Sequence, residues 1–334
     1  MLRRQLGQAG PEVSAIGIGA MSFSNFYGPC SEAEAHAVLD AARDLGIDHL
    51  DTANIYGMGL SETIIGRYLA RRGPAARAHF RIATKAGIRH DPETGERGID
   101  NSRAHLEAEL DASLARLGVD SVDLFYVHRR DTRHDIEAVT ESLAGLQRAG
   151  KIGAFGFSEI APTSLRRAAA MHPVAAVQSE YSLATRAPDL GLVQACAELG
   201  TALVAFSPVG RGLLTDRGPE PPTLTASPFF RNNPRFQPET LVLNRAATDP
   251  FRRLAAEAGL PAAALAIGWL LSRGAGVIPI PGTRSPAHLA ELAQGAEAPL
   301  TPDLIAAIET ALPVGWAHGD RYSVPQWIGP ERFC

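Results

Sequence analysis

The feature that most constrains the fold is a repeated alternation: eight short β-rich runs, each closed by polar residues, glycine or proline, with helical patterns between them. The runs read AIGIGAM, HLDTA, RIATKA, VDLFYVH, IGAFGFS, AAVQSEYS, TALVAFSP and GVIPIPG. Between them, residues 101–118 set Leu106, Leu110, Leu114 and Leu117 on one apolar stripe behind Asn101 and Ser102, which offer a helix cap. Ser31 and Glu34 have capping-box spacing, and the segments DLG, ARLG, QRAG and AELG each stop on a glycine suited to closing a helix. Eight β-then-α units without a break imply parallel strands joined by right-handed crossovers, and closed into a ring they make a (β/α)8 TIM barrel. A doubly wound open sheet is the competitor. It needs a G-x-G-x-x-G turn after its first strand, which AIGIGAMSFSNFYG does not supply. A length of 334 residues is long for an ordinary domain and normal for one α/β barrel, so residues 1–334 are expected to form a single domain. Outside the ring, a short β-hairpin is expected around GQAGPE, a long loop over residues 210–245, and an extra helix and tail at the C-terminal end.

A formal net charge of -4, spread along the chain, leaves no basic stripe for nucleic acid and no polybasic patch for a membrane surface. Any partner is therefore expected to be a small molecule or another protein. The longest apolar run, near AALAIGWLL, ends after about nine residues, short of the roughly 20 that a spanning helix needs. The N-terminal MLRRQLGQAGPEVS has arginines but no apolar core behind them. Cys30, Cys196 and Cys334 stand far apart and in no C-x-x-C spacing, so neither a disulfide framework nor a metal site is expected, and a cytoplasmic location fits.

A barrel builds its site at the carboxyl ends of its strands. Asp51 ends the second run, Tyr56 lies on the loop beyond it, Lys85 ends the third and His128 the fourth. Together they make sense as one proton-transfer centre. A phenol has an ordinary pKa of about 10 and is a poor acid at neutral pH unless a cation favours its phenolate. Lys85 is expected to be that cation, Asp51 its counter-ion against burial, and His128 the group that orients a carbonyl oxygen. Taken alone, each residue has a plainer role as a turn former, a snorkelling lysine, a packed ring or a core histidine. Four of them on three consecutive strands argue for chemistry.

The segments LDTANIYGMGLSE, IATKAG, LFYVHR, IGAFGFSE, VQSEYS, AFSPVGRGLLT and VIPIPGTRSPAHLAE, in that order across nearly the whole chain, resemble the aldo-keto reductases. The resemblance implies reduction of aldehydes or ketones by hydride transfer from NADPH, with Tyr56 as general acid, Asp51 and Lys85 tuning it, and His128 positioning the carbonyl. It implies a cofactor extended across the barrel mouth, touching Gly19, Met21 and Asp51 at one side and Ser158 and Gln178 at its carboxamide. Phe206 would stack on the nicotinamide ring, and Ser207, Pro208, Val209, Gly210, Arg211 and Gly212 would meet the pyrophosphate. Gly282, Thr283, Arg284, His288 and Glu291 would hold the adenosine end. The chain departs from the common family pattern in three places. Glu159 stands where many members have Asn, Leu292 where Asn is frequent, and His288 where some have Arg; "SE", "RFQ" and "GDRY" are similar to a broad-specificity bacterial and plant subgroup.

No acidic residue lies between Ile280 and Ala290, and Arg284 adds a planar cation beside the helix start at Ser285-Pro286, so NADPH is expected over NADH. Phe23, Phe26 and Tyr27 after the first strand, Phe229 and Phe230 in the long loop, and Trp316 and Trp327 in the tail are candidates to line an apolar substrate pocket. Two rival readings accompany this one: a nicotinamide-binding regulatory subunit similar to ion-channel β-subunits, and a Schiff-base aldolase in which Lys85 attacks a carbonyl as a neutral amine.

Overall fold

The computed structural model describes residues 1–90, 97–219, 224 and 227–332. Strands β1 (Arg3–Gln5) and β2 (Glu12–Ser14) form the expected antiparallel N-terminal hairpin. Then come β3 (Gly17–Gly19), β4 (His49–Asp51), β5 (Arg81–Ala86), an unforeseen antiparallel pair β6 (Ile88–His90) and β7 (Arg97–Ile99), β8 (Val122–Val127), β9 (Ile152–Ser158), β10 (Ala176–Glu180), β11 (Ala202–Phe206) and β12 (Val277–Pro279). The eight strands foreseen from the sequence form one parallel sheet in the order β3-β4-β5-β8-β9-β10-β11-β12. The Gly19 amide donates to the Pro281 carbonyl at 2.9 Å, which brings the two edges together and rounds the sheet into a barrel.

Helix ends follow the local rules. Ser31 and Glu34 make the capping box at the start of Glu32–Asp44, and Ser102 caps Arg103–Leu117, whose four leucines are buried or nearly so. Gly46, Gly118, Gly150 and Gly200 all take φ between +63° and +75°, the left-handed closure expected of them. The β1–β2 hairpin plugs the bottom of the barrel: Leu6 and Val13 join Ala83, Leu124, Ala154 and Ala202 in the inner core. Gly7 permits the close approach, since a Cβ there would sit 2.0 Å from the Ala175 carbonyl oxygen. The helix Pro302–Ala311 and a tail running over the mouth fulfil the expectation for the C-terminal end. Residues 210–245 correct one expectation. They do not form a continuous loop but include the short helix Pro228–Asn232, and Pro238–Ala247 begins within them, each with proline in its first turn; residues 220–223, 225 and 226 of that stretch lie outside the described residues. Among the described residues no single helix is long and apolar enough to cross a membrane.

Strand alternation positions the site. Phe125, Val127, Phe155, Phe157, Leu50 and Ile82 face the outer core under the helices, while Ala83, Leu124, Ala154, Ala176 and Val204 face the barrel interior. With a period of two, the same inward parity assigns Asp51, Lys85, His128, Ser158, Gln178 and Phe206 to the interior at its carboxyl end.

Two inward histidines make stability depend on pH. Among the described residues His49 is buried with neither ring nitrogen hydrogen-bonded, and His128 is buried with Nδ1 unpartnered. Burial first holds both below the ordinary histidine value, and at His128 the charges of Arg129, Lys85 and Arg97 add to it. Protons therefore bind the unfolded chain, with its ordinary pKa of about 6.5, more readily than the folded one. Stability should be complete above that pH and fall as the pH drops below it; a urea midpoint unchanged between neutral pH and mildly acidic pH would contradict this.

Candidate active site

Lys85 is fully buried, and each of its three ammonium protons has an acceptor: Asp51 Oδ1, the Thr52 carbonyl at 2.7 Å and Tyr56 Oη at 3.3 Å. Asp51 Oδ2 accepts from Gln178 Nε2 at 2.8 Å. Because the ammonium donates to the phenol oxygen, the phenol proton is left to point elsewhere, into the cavity that Tyr56 and His128 both line. Their rings meet edge to face with centroids 5.8 Å apart.

The electrostatics correct one expectation. Tyr56 is pushed above the ordinary phenol value, first by burial and then by the Asp51 carboxylate, with Arg129 opposing. Burial outweighs the neighbouring cation because Asp51 already matches the charge of Lys85. The phenol is thereby held protonated, as a proton donor must be. Lys85 itself is lowered by burial and supported by Asp51, and His128 is held neutral.

The cavity has a volume of about 1190 Å³. Its floor takes in Gly19, Met21, Asp51, Ser158, Gln178 and Phe206, and one wall is made of Ser207, Pro208, Val209, Arg211 and Gly212. At the far end lie Gly282, Thr283, His288, Glu291 and Leu292, beside the start of the helix Pro286–Glu297, which Ser285 caps. Tyr27, Phe26, Phe229 and Phe230 line the opposite side.

Other residues singled out in the sequence do not reach the cavity. Phe23 is fully buried in the outer core, and Trp316 packs against the core with Nε1 donating to the Leu183 carbonyl at 2.8 Å. Trp327 instead lies against the Arg321 guanidinium and meets the Tyr322 ring edge to face. Gly210 is absent from the lining, and its amide closes a turn on the Ser207 carbonyl at 2.9 Å; the Gly212 amide closes one on the Val209 carbonyl at 3.1 Å. The backbone here is tightly bent, with left-handed φ at Ser207, Gly210, Arg211 and Gly212. Arg211 is not a free cation: its Nη1 and Nη2 reach Glu180 Oε1 and Oε2 at 3.0 and 2.6 Å. Arg284 also misses the cavity, because its Nη1 donates to the Pro29 carbonyl at 2.6 Å.

Sequence reasoning missed the ion-pair layer beneath the tail. Glu159, left-handed at φ 59° and fully buried, binds Arg321 through both oxygens at 3.0 and 2.5 Å and accepts the Glu180 amide at 2.9 Å. Burial alone would raise its pKa, but Arg321 and Arg129 outweigh this and hold it ionised. The carboxylate standing where many family members have an amide therefore anchors the tail. The tail is fixed further by the Glu331 amide on the Glu159 carbonyl at 2.8 Å and by Asn233 Nδ2 on the Arg321 carbonyl at 2.7 Å. Arg129, Arg97, His90 and Tyr322 also line the cavity unforeseen; "GDRY" marked the last only as a subgroup trait. Asp100, Asp131 and His134 gather with their ligand atoms close together, but Arg133 holds both oxygens of Asp131 at 2.9 and 2.7 Å.

A parallel barrel with an Asp, Tyr, Lys and His centre at its carboxyl end is the architecture of a barrel oxidoreductase, and comparison makes the class definite. Residues 15–313 match the aldo/keto reductase family. The chain is 37% identical over 324 residues to the aldo-keto reductase yakc, designated NADP(+), of Schizosaccharomyces pombe, covering 96% of this chain and 94% of that protein. Its structure is similar to a glycerol dehydrogenase of Gluconobacter oxydans (TM-score 0.81, 26% identity, 93% and 94% of the two chains). It is also similar to the holo form of an aldo-keto reductase of Bacillus halodurans (TM-score 0.76, 27% identity, 98% and 99% covered). The chain belongs to the aldo/keto reductase family.

Proposed function

We propose that this protein reduces a small aldehyde or ketone to the alcohol with NADPH, Tyr56 giving the proton. The observation that carries the reading is the buried relay from Asp51 through Lys85 to the Tyr56 oxygen, with neutral His128 beside it at the floor of the cavity. A volume of about 1190 Å³ exceeds that of an ordinary ligand pocket, about 300–1,000 Å³, and suits a dinucleotide together with a small substrate.

When bound, the nicotinamide supplies the hydride. Tyr56 donates its proton to the carbonyl oxygen, and the Lys85 ammonium, already donating to Tyr56 Oη, stabilises the phenolate left behind. Asp51 keeps Lys85 charged despite its burial. His128, neutral, directs a hydrogen bond to the carbonyl oxygen without surrendering a proton. Ser158 and Gln178 would take the carboxamide, Phe206 the ring face, and the wall from Ser207 to Gly212 the pyrophosphate. Thr283, His288 and the amides at the start of Pro286–Glu297 would receive the 2′-phosphate. The NADP(+) designation of the yeast relative supports the choice of NADPH. The same geometry disfavours the aldolase reading, since Lys85 has no exposure and every donor proton engaged.

Spectrophotometric screening of NADPH oxidation against aliphatic and aromatic aldehydes tests the proposal; absence of turnover with every carbonyl, while NADPH still binds, would reject it. Because Arg284 rests on Pro29, Arg284→Met should weaken NADPH and NADH by similar small factors. A selective loss for NADPH on the scale of a charge-assisted hydrogen bond, about 1–3 kcal/mol, would show instead that the side chain turns onto the phosphate. Fluorescence titration of both cofactors separates the two outcomes.

A further inference from the structure

Among the described residues the cations at the mouth are not all balanced. Lys85 is paired with Asp51, Arg211 with Glu180 and Arg321 with Glu159, and Arg235 lies 3.8 Å from Glu180. Arg129 makes no direct ion pair of this kind, although its charge acts at longer range on Glu159. Only 9% exposed, it donates to three neutral oxygens: the His128 carbonyl at 2.7 Å, Ser158 Oγ at 3.1 Å and Tyr322 Oη at 3.2 Å. Its Nε has no hydrogen-bond partner among the described residues. Arg97, on β7, lines the same cavity and among the described residues has only a 3.5 Å contact with the Ile328 carbonyl.

A guanidinium taken out of water without a carboxylate is costly to the fold, and its planar fork suits a carboxylate or phosphate. The two arginines lie close enough to oppose each other: Arg97 is lowered first by burial and then by Arg129. Both also bear on His128, where their charges reinforce the effect of burial, so they stand beside the reacting carbonyl rather than at the remote adenosine end.

We propose that Arg129 and Arg97 form an anion subsite beside His128, so that the favoured substrate is a small aldehyde or ketone bearing a carboxylate or phosphate within a few bonds of its carbonyl carbon. The assignment rests on the reading of this cavity as a carbonyl-reducing site. An anion there would accept from the Arg129 guanidinium and separate the two like charges by an opposite one. The substrate would then be held at both ends, its anion by the arginines and its carbonyl oxygen between Tyr56 and His128.

Matched substrates provide the test. With saturating NADPH, kcat/KM is measured for succinic semialdehyde against butanal and for glyceraldehyde 3-phosphate against glyceraldehyde. The anionic member of at least one pair should be favoured by about tenfold or more, as expected of a charge-assisted contact. Which pair shows the preference tells carboxylate from phosphate. Arg129→Met should lower that preference by about tenfold and Arg97→Gln by a smaller factor, both chiefly through KM. A wild-type enzyme indifferent to charge, or a preference intact in both variants, overturns the subsite. Equal losses on both members of a pair together with weaker NADPH binding would place Arg129 on the cofactor instead and also overturn it. Should Arg129→Met not fold, Arg97→Gln alone decides, because its side chain is only partly buried. If no carbonyl turns over, the enzymatic reading fails on its own account, and calorimetric titration of succinate and inorganic phosphate still tests the anion site: binding that Arg97→Gln weakens supports it, and no binding to the wild type overturns it.

Discussion

Tyr56→Phe should cut aldehyde reduction by about 10²-fold or more while leaving NADPH binding in place, because it keeps the ring and removes only the proton donor. The structure makes the loss specific. Lys85 Nζ points at the phenol oxygen at 3.3 Å, and with no oxygen there the ammonium keeps Asp51 and the Thr52 carbonyl but has no group through which to act on the substrate. The ring's edge contact with His128 would survive, so the variant should fold. Single-turnover rates and cofactor fluorescence, measured together, check this. Near-normal turnover would remove Tyr56 from the role of general acid.

The second large effect concerns the tail. Arg321→Met leaves the fully buried Glu159 carboxylate without its bidentate partner, whereas Glu180 keeps Arg211. Breaking one side of a buried pair in this way costs about 3–5 kcal/mol, and the loss should appear as a lowered urea midpoint. Since Arg321 and the Glu331 amide both tie the tail to Glu159, residues 313–332 should also become sensitive to protease before the barrel unfolds. Glu159→Gln placed on top of Arg321→Met removes the stranded charge and should recover part of the loss. A double variant as unstable as the sum of the single ones would mean that the two groups do not stabilise each other.

How the chain could be read in advance differs between its parts. The eight parallel strands were legible because each run carries its own signal, β-rich residues between turn formers, and the glycines closing the helices carry theirs. Asp51, Lys85 and His128 were legible for a related reason, since in a barrel the carboxyl ends of the strands meet at one mouth, whereas Ser158, Gln178 and Phe206 were marked only by the family resemblance. The pair β6–β7 escaped notice because two runs of three residues, partly charged, carry no pattern of their own.

What the sequence determined by itself, then, is whatever depends on neighbours in the chain: the barrel, its caps, and the identity of the relay. The tertiary structure alone decided how charges separated by long stretches of chain were distributed. It gave Arg211 to Glu180 and Arg321 to Glu159, sent Arg284 to the Pro29 carbonyl, and buried Phe23 away from the mouth. Arg129 was left with neutral partners next to His128. A guanidinium looks the same in sequence whether a carboxylate meets it or not. Pairing depends on which groups the fold brings within a few ångströms, and burial then sets how much an unpaired charge matters, as at Tyr56, where the loss of water outweighed the nearby cation.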